Sequence, residues 1–228
     1  MLNKQIRETI QEFRDSFPPE ITTLIEQGAG EISALDIIES ARKMGDTIPD
    51  APLKGEGGET IHLSEYLKDG PLVLTFYRGL WCPYCNLQLK AYSERLDEIK
   101  ALGANLVAVT PEKPGATDIL VASGAQEELI NTAVKDVSFD VLHDAQNKLA
   151  EAFGLVFNLP ESHRKLLEMM KVDVEALNGD ASYTFPDPAT YVICPDGEIA
   201  WSFVPNNYRK RAEVEDILGA LRSLKSVN

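Results

Sequence analysis

The chain has 228 residues, of which 44% are apolar and 25% charged; that is enough to bury a sizeable core without disulfide support and is ordinary for a globular soluble protein. Asp and Glu total 36 against 22 Lys and Arg, a net charge of -14, which argues against nucleic-acid binding because a phosphate backbone calls for clustered cations. The start, Met1-Leu2-Asn3-Lys4-Gln5-Ile6, lacks the run of roughly 7–15 apolar residues of a secretory signal, and no stretch approaches the roughly 18 of a membrane span, so a cytoplasmic protein without a membrane partner is expected.

In chain order, Leu2, Ile6, Ile10, Phe13 and Phe17 recur at three- and four-residue steps and form one apolar helical stripe. Pro18-Pro19 ends it. A second helix is expected to hold Ile21, Leu24 and Ile25, and a third Leu35, Ile38 and Ala41, stopping near Gly45. Residues 1–44 therefore read as an N-terminal helical extension and residues 45–228 as the main domain. The apolar stripe must be buried, either on the main domain or on a partner subunit in a homodimer.

Beyond Gly45 the texture changes. Residues 45–50 read as loop and 55–59 as a turn between short extended pieces. Leu72-Val73-Leu74-Thr75-Phe76-Tyr77 is a near-continuous apolar run, the mark of a strand buried on both faces. Leu89, Tyr92, Leu96 and Ile99 define a helix that ends at Gly103, and Leu106-Val107-Ala108-Val109 a second buried strand. A helix is expected around 127–134, a shorter strand over 139–142, a helix capped by Asp144 and running to Gly154, and another helix over about 162–170. Two strands, over 190–193 and 198–204, are joined by the turn Pro195-Asp196-Gly197, and a last helix carries Val214, Ile217, Leu218 and Leu221. A parallel βαβ half joined to an antiparallel ββα half predicts an α/β fold: a mixed central sheet with helices on both faces.

The chemistry points to Trp81-Cys82-Pro83-Tyr84-Cys85, placed between a buried strand and an amphipathic helix. Pro83 suits the first helical position, which puts Cys82 at the cap and Cys85 in the first turn. A helix start carries partial positive charge and free N–H groups, and both favour a thiolate. Two intervening residues bring the sulfurs within reach of a disulfide, so one can attack and the other release the product. A zinc site calls for further ligands at similar spacing, whereas Cys194, His62, His143 and His163 are scattered, so no metal and no cofactor are expected. A static disulfide does not fit a reducing compartment, and a helix start is the wrong place for inert buried thiols. Cys194, ending a strand before a turn, reads as a small buried hydrophobe.

These residues also carry a resemblance. Gly45-Asp46-Thr47-Ile48-Pro49-Asp50, Phe76-Tyr77-Arg78-Gly79-Leu80-Trp81-Cys82-Pro83-Tyr84-Cys85-Asn86, Leu142-His143-Asp144, Phe153-Gly154 and Pro188-Ala189-Thr190-Tyr191-Val192-Ile193 occur in order over about residues 45–222. Together they resemble the peroxiredoxin-like branch of the alkyl hydroperoxide reductase / thiol-specific antioxidant family, which implies a thioredoxin-like fold. That family's Pro-x-x-x-Thr-x-x-Cys motif would place Arg78 at the Pro, Cys82 at the Thr and Cys85 at the peroxide-reactive cysteine. Pro188 stands where the family has an Arg. At two positions the residue is instead of thioredoxin type, which implies a cis Asp187–Pro188 bond beside the sulfurs and a substrate groove there.

The resemblance implies an oxidoreductase, and two enzymatic readings follow from it. In one, Cys82 is the exposed attacker on a protein or small-molecule disulfide and Cys85 resolves. In the other, Cys85 attacks a hydroperoxide and Cys82 closes the disulfide. Trp81, Pro83, Arg78 and Pro188 would support either site, with Arg78, Arg209 or Arg211 as substitute guanidiniums. The reductant would be a thiol donor such as a thioredoxin or glutathione system. A non-catalytic, redox-responsive binding module is the third reading.

Overall fold

The computed structural model describes residues 1–125, 133 and 137–227. Its elements run α1 (Leu2–Ser16), α2 (Pro19–Ser33), α3 (Ile37–Ser40), β1 (Leu53–Lys54), β2 (Thr60–Ile61), α4 (Leu63–Leu67), β3 (Leu72–Phe76), α5 (Pro83–Glu94), α6 (Leu96–Ala101), β4 (Asn105–Thr110) and α7 (Ala116–Ala122). They continue with β5 (Asp140–His143), a 3-10 turn over Ala145–Asn147, α8 (Lys148–Ala152), β6 (Val156–Asn158), α9 (Glu161–Met169), α10 (Val174–Asn178), β7 (Thr184–Pro186), β8 (Thr190–Ile193), β9 (Ile199–Phe203) and α11 (Val214–Val227).

Every residue of β3 is buried, as its apolar run predicts, and β3 lies deep in a seven-stranded mixed sheet ordered β2-β1-β5-β4-β3-β8-β9. β3, β4 and β5 run parallel; β8 and β9 return antiparallel through the expected Pro195-Asp196-Gly197 turn, where Gly197 has φ +88°. The fold is thioredoxin-like, a mixed central sheet flanked by helices. Thr75 opposite Thr190 sets the register of β3 on β8. Phe153, fully buried, fills the sheet's flank between Phe76 and Tyr191, with ring centroids 5.0 and 5.1 Å away. Asp144 takes the capping role expected of it, accepting from the N–H groups of Leu149 and Ala150 at 2.9 Å each.

The N-terminal stripe packs within the same chain, with Leu2 and Ile6 buried and Ile10, Phe13 and Phe17 half-buried. α1 packs on α5, and α2 packs on α9. The second contact is close: a Cβ on Gly28 of α2 would run into the His163 ring of α9. Among the described residues no helix is long and apolar enough to cross a membrane.

Several elements depart from the periodicity. The helix expected over Leu35, Ile38 and Ala41 is one turn, because Arg42 N–H donates to Phe153 O at 2.9 Å and Ser40 Oγ to Gly154 O at 2.7 Å, drawing the chain out along α8. The helix of Leu89 to Ile99 breaks at Arg95, whose guanidinium pairs with Glu98 and Glu215. The helix expected around 127–134 falls largely outside the described residues, while α4, α7, α10 and the β6–β7 ribbon, too short for a periodic signal, arise from local caps and tertiary contacts.

Candidate active site

The loop from β3 to α5 places both cysteines. Tyr77 N–H extends the β3–β4 ladder by donating to Val109 O at 3.0 Å, after which the chain turns through Gly79 at φ +152°. A side chain there would strike the Trp81 indole and Glu112 Oε1, so the turn calls for glycine. Glu112, fully buried at the end of β4, takes Leu80 N–H on both carboxylate oxygens at 3.0 Å, and Asn86 Nδ2 donates to Leu80 O at 2.7 Å. The loop is thus fastened at its middle before α5 begins with Pro83 at its first position and Cys82 at its cap, as the sequence predicts.

Each sulfur has its own guanidinium. Arg78 Nη2 donates to Cys82 Sγ at 3.1 Å, and Arg211 Nη2 donates to Cys85 Sγ at 3.2 Å. Both arginines are at most 3% exposed. The Arg78 head is stacked against two rings, 4.0 Å from the Tyr208 centroid and 4.9 Å from that of Trp81. Arg211, from the β9–α11 connection, is held by Gln88 Oε1 at 2.6 Å, by Lys210 O at 2.7 Å and by Tyr208 O. Gln88 in turn donates to Thr75 Oγ1 at 2.6 Å.

The two thiols are driven apart in acidity. Burial alone would raise Cys82, but the hydrogen bond from Cys85 and the charges of Arg78 and Arg211 outweigh it and hold Cys82 well below the ordinary thiol value. Burial pushes Cys85 up, and so do the proton it donates to Cys82 and the charge on that sulfur. Arg78 stays charged despite burial because the sulfurs favour its cationic form.

Two expectations are corrected. Cys82 is not the exposed member: both sulfurs are fully buried, because α1 lies over α5 and Trp81, Tyr84 and Tyr208 close around the cap. Nor is Pro188 a cis proline. The described chain has no cis peptide bond, and residue 187 carries the chain from β7 into β8 with its N–H on Leu155 O at 2.8 Å, an extended path that a trans proline continues. Pro188 is buried two residues before β8.

Of the other predicted site residues, buried Trp81 and half-buried Pro83 line the cavity that Arg78 also lines. Arg209 is not on a sulfur; it pairs with Glu26 of α2 at 3.0 Å. Cys194 is half-buried at the β8–β9 turn, and burial together with Asp196 and Glu198 raises its thiol. His143 binds Glu112 O and Glu56, while His163 meets Tyr208 and Ile25 O. Gln88 and Glu112 were missed by the sequence reading. Gln88 lies three residues after Cys85 and four before Tyr92, a polar side chain on the buried helical face, and that spacing is a legible signal.

A cavity of about 60 Å³ has Arg78 in its lining, the residue whose guanidinium donates to the Cys82 sulfur. Phe13 of α1, Phe17 at its C-cap, and Leu166 and Leu167 of α9 supply much of the apolar wall, with Trp81 and Tyr208 beside Arg78. It has room for a few water-sized groups.

A model of the AhpC/TSA family matches residues 44–202. The chain belongs to that family. Residues 1–43, which form α1, α2 and α3, lie outside the match. Peroxiredoxin Bcp of Escherichia coli (strain K12) is 27% identical over 113 residues, which is 50% of this chain and 65% of that protein, so the chain spans just under two thirds of that relative. Peroxiredoxin Bcp of Bacillus subtilis (strain 168) is 26% identical over 186 residues, 82% of this chain and 97% of that protein. The crystal structure of Peroxidoxin BcpB from Mycobacterium tuberculosis superposes with a TM-score of 0.57 at 22% identity, covering 80% of this chain and 97% of that one, a likeness of fold.

Glu112 makes a pH prediction. Burial pushes its carboxyl up to about 8 from the ordinary 4.5, against the pull of Leu80 N–H and the Thr110 hydroxyl. A group whose acidity is weakened on folding contributes stability that is fully present below its unfolded value and is lost as pH rises through the folded one. The fold should therefore lose stability between about pH 4.5 and about pH 8 on this account. Glu112→Gln keeps an acceptor for Leu80 and cannot ionise. The gap in Tm between about pH 5 and about pH 8.5 is expected to narrow in that variant; an unchanged gap would show that Glu112 does not set it.

Proposed function

We propose that this chain is a thiol-dependent oxidoreductase that reduces hydroperoxides, with Cys82 attacking and Cys85 resolving. The observation that carries this reading is the Arg78 guanidinium 3.1 Å from a fully buried Cys82 sulfur, with Arg78 in the lining of a small apolar cavity. A hydroperoxide is small enough to work at such a site; a protein disulfide calls for an exposed sulfur and a groove beside it.

The Cys82 thiolate attacks the terminal oxygen of R–O–O–H; an S–O bond forms, the O–O bond breaks, and ROH leaves after taking up a proton. Arg78 and Arg211 supply the positive charge that this transfer of negative charge calls for. The Cys85 thiol then attacks Cys82–S–OH, forming the disulfide and releasing water. An external thiol donor of the thioredoxin or glutathione type returns two electrons and two protons.

A second reading exchanges the sulfurs. It is favoured by Arg211 on Cys85, at 3.2 Å, because the family's motif puts the peroxide-reactive cysteine at that position.

Purified protein supplied with a dithiol should consume hydrogen peroxide and organic hydroperoxides faster than it reduces insulin disulfides. A preference for insulin would overturn the peroxide reading. Differential alkylation after one equivalent of peroxide should recover a Cys82–Cys85 disulfide with Cys194 still reduced; a major disulfide through Cys194 would count against the pair.

A further inference from the structure

The active-site guanidinium on Cys85 is anchored from the far end of the chain. Asn3, in the first turn of α1, faces the backbone of Arg211: its Nδ2 donates to Arg211 O at 2.8 Å and its Oδ1 accepts Arg211 N–H at 3.0 Å. The contact is answered from the other side. Glu213, two residues on, accepts Leu2 N–H at 2.7 Å, Asn3 N–H at 2.8 Å and Asn3 Nδ2 at 3.0 Å. Asn3 and Glu213 therefore cross-clamp residues 2–3 to residues 211–213, over a sequence separation of 208 to 211 residues. Arg211 is 1% exposed, and the residue whose backbone is so held places its Nη2 3.2 Å from Cys85 Sγ.

We propose that Asn3, seconded by Glu213, is a positioning residue: it fixes the Arg211 backbone so that the guanidinium stays on Cys85, and the N-terminal helix thereby sets the acidity of the cysteine pair. The inference rests on Cys82 and Cys85 being the reactive pair, and it holds whichever of them attacks. The physical reason is the steepness of a charge-assisted hydrogen bond with distance in a desolvated site, where a small retreat of Arg211 costs much of its effect on the thiols. Its head contacts to Gln88 and to carbonyls orient the plane of the guanidinium, whereas Asn3 fixes the stem. Both halves of the clamp, residues 2–3 and 211–213, lie outside the family match.

The test reads thiol acidity rather than turnover, so it stands apart from the failure of the peroxide reading. In the full-length reduced protein, the alkylation of Cys82 and Cys85 is followed by mass spectrometry across pH. Arg211 favours ionisation of both sulfurs. Asn3→Ala is therefore expected to move the alkylation midpoint of the pair up by about half a pH unit, about a threefold loss of rate below the midpoint. Glu213→Gln, which keeps one acceptor oxygen and so weakens one side of the clamp, should shift it the same way by less. Ile6→Ala removes buried packing from the same helix without touching the clamp; it should lower Tm and leave the midpoint where it was. The proposal is overturned if Asn3→Ala and Glu213→Gln keep the wild-type profile, or if Ile6→Ala moves it as far as they do.

Discussion

Cys82→Ser is expected to lower hydroperoxide turnover by more than about a hundredfold, because a serine hydroxyl is not ionised near neutral pH and is a far weaker nucleophile than a thiolate. The structure makes the loss specific. The Cys82 sulfur accepts a hydrogen bond from Arg78 Nη2 at 3.1 Å, and its neighbours hold its thiol below the ordinary value. Cys85→Ser should behave differently: it keeps an attacker without a resolver. One equivalent of peroxide should still be consumed, with a sulfenic acid on Cys82 and no disulfide. Stopped-flow consumption of peroxide, followed by mass analysis of each variant, separates the two. If Cys82→Ser keeps the stoichiometric reaction and Cys85→Ser loses it, the sulfurs exchange roles and Arg211 becomes the guanidinium of the attacking thiol.

Arg78→Met is expected to be nearly as damaging, by loss of acidity rather than of a nucleophile. An opposite charge at this range lowers an acidic group by about 1–3 pKa units, so removing it should raise the Cys82 thiol by about that much and cut the thiolate at neutral pH by up to about a thousandfold. The pH–rate profile should move to the alkaline side, and activity should recover in part when pH is raised. Arg78→Lys restores a point charge but not the planar head that lies 4.0 Å from the Tyr208 centroid and 4.9 Å from that of Trp81, so partial rescue is expected. Residue-resolved alkylation of Cys82 across pH checks both variants. A profile that stays in place in Arg78→Met would show that the helix start, rather than Arg78, holds the thiolate.

Much of this was legible along the chain. Leu72 to Phe76 could only be a buried strand, Pro83 could only sit at a helix start, and the two together fix Cys82 at the cap and Cys85 in the first turn. These are local consequences of periodicity and of proline's missing N–H, so they need no tertiary knowledge. The burial of the stripe from Leu2 to Phe13 was likewise compelled, although its partner was not. What covers the sulfurs, and what charges them, was decided only in three dimensions. Arg78 is four residues from Cys82, but its head is held by Tyr208, and Arg211 meets Cys85 from 126 residues away. No pattern in sequence distinguishes Arg211, on a sulfur, from Arg209, paired with Glu26 on the surface of α2. The cis geometry inferred for Pro188 failed for the same reason: the isomer of an X–Pro bond is settled by less than about 1 kcal/mol of local preference, which tertiary contacts override. Local rules place a thiol at a helix start; the acidity of that thiol is a sum of long-range charges and burial, and those exist only once the chain has closed on itself.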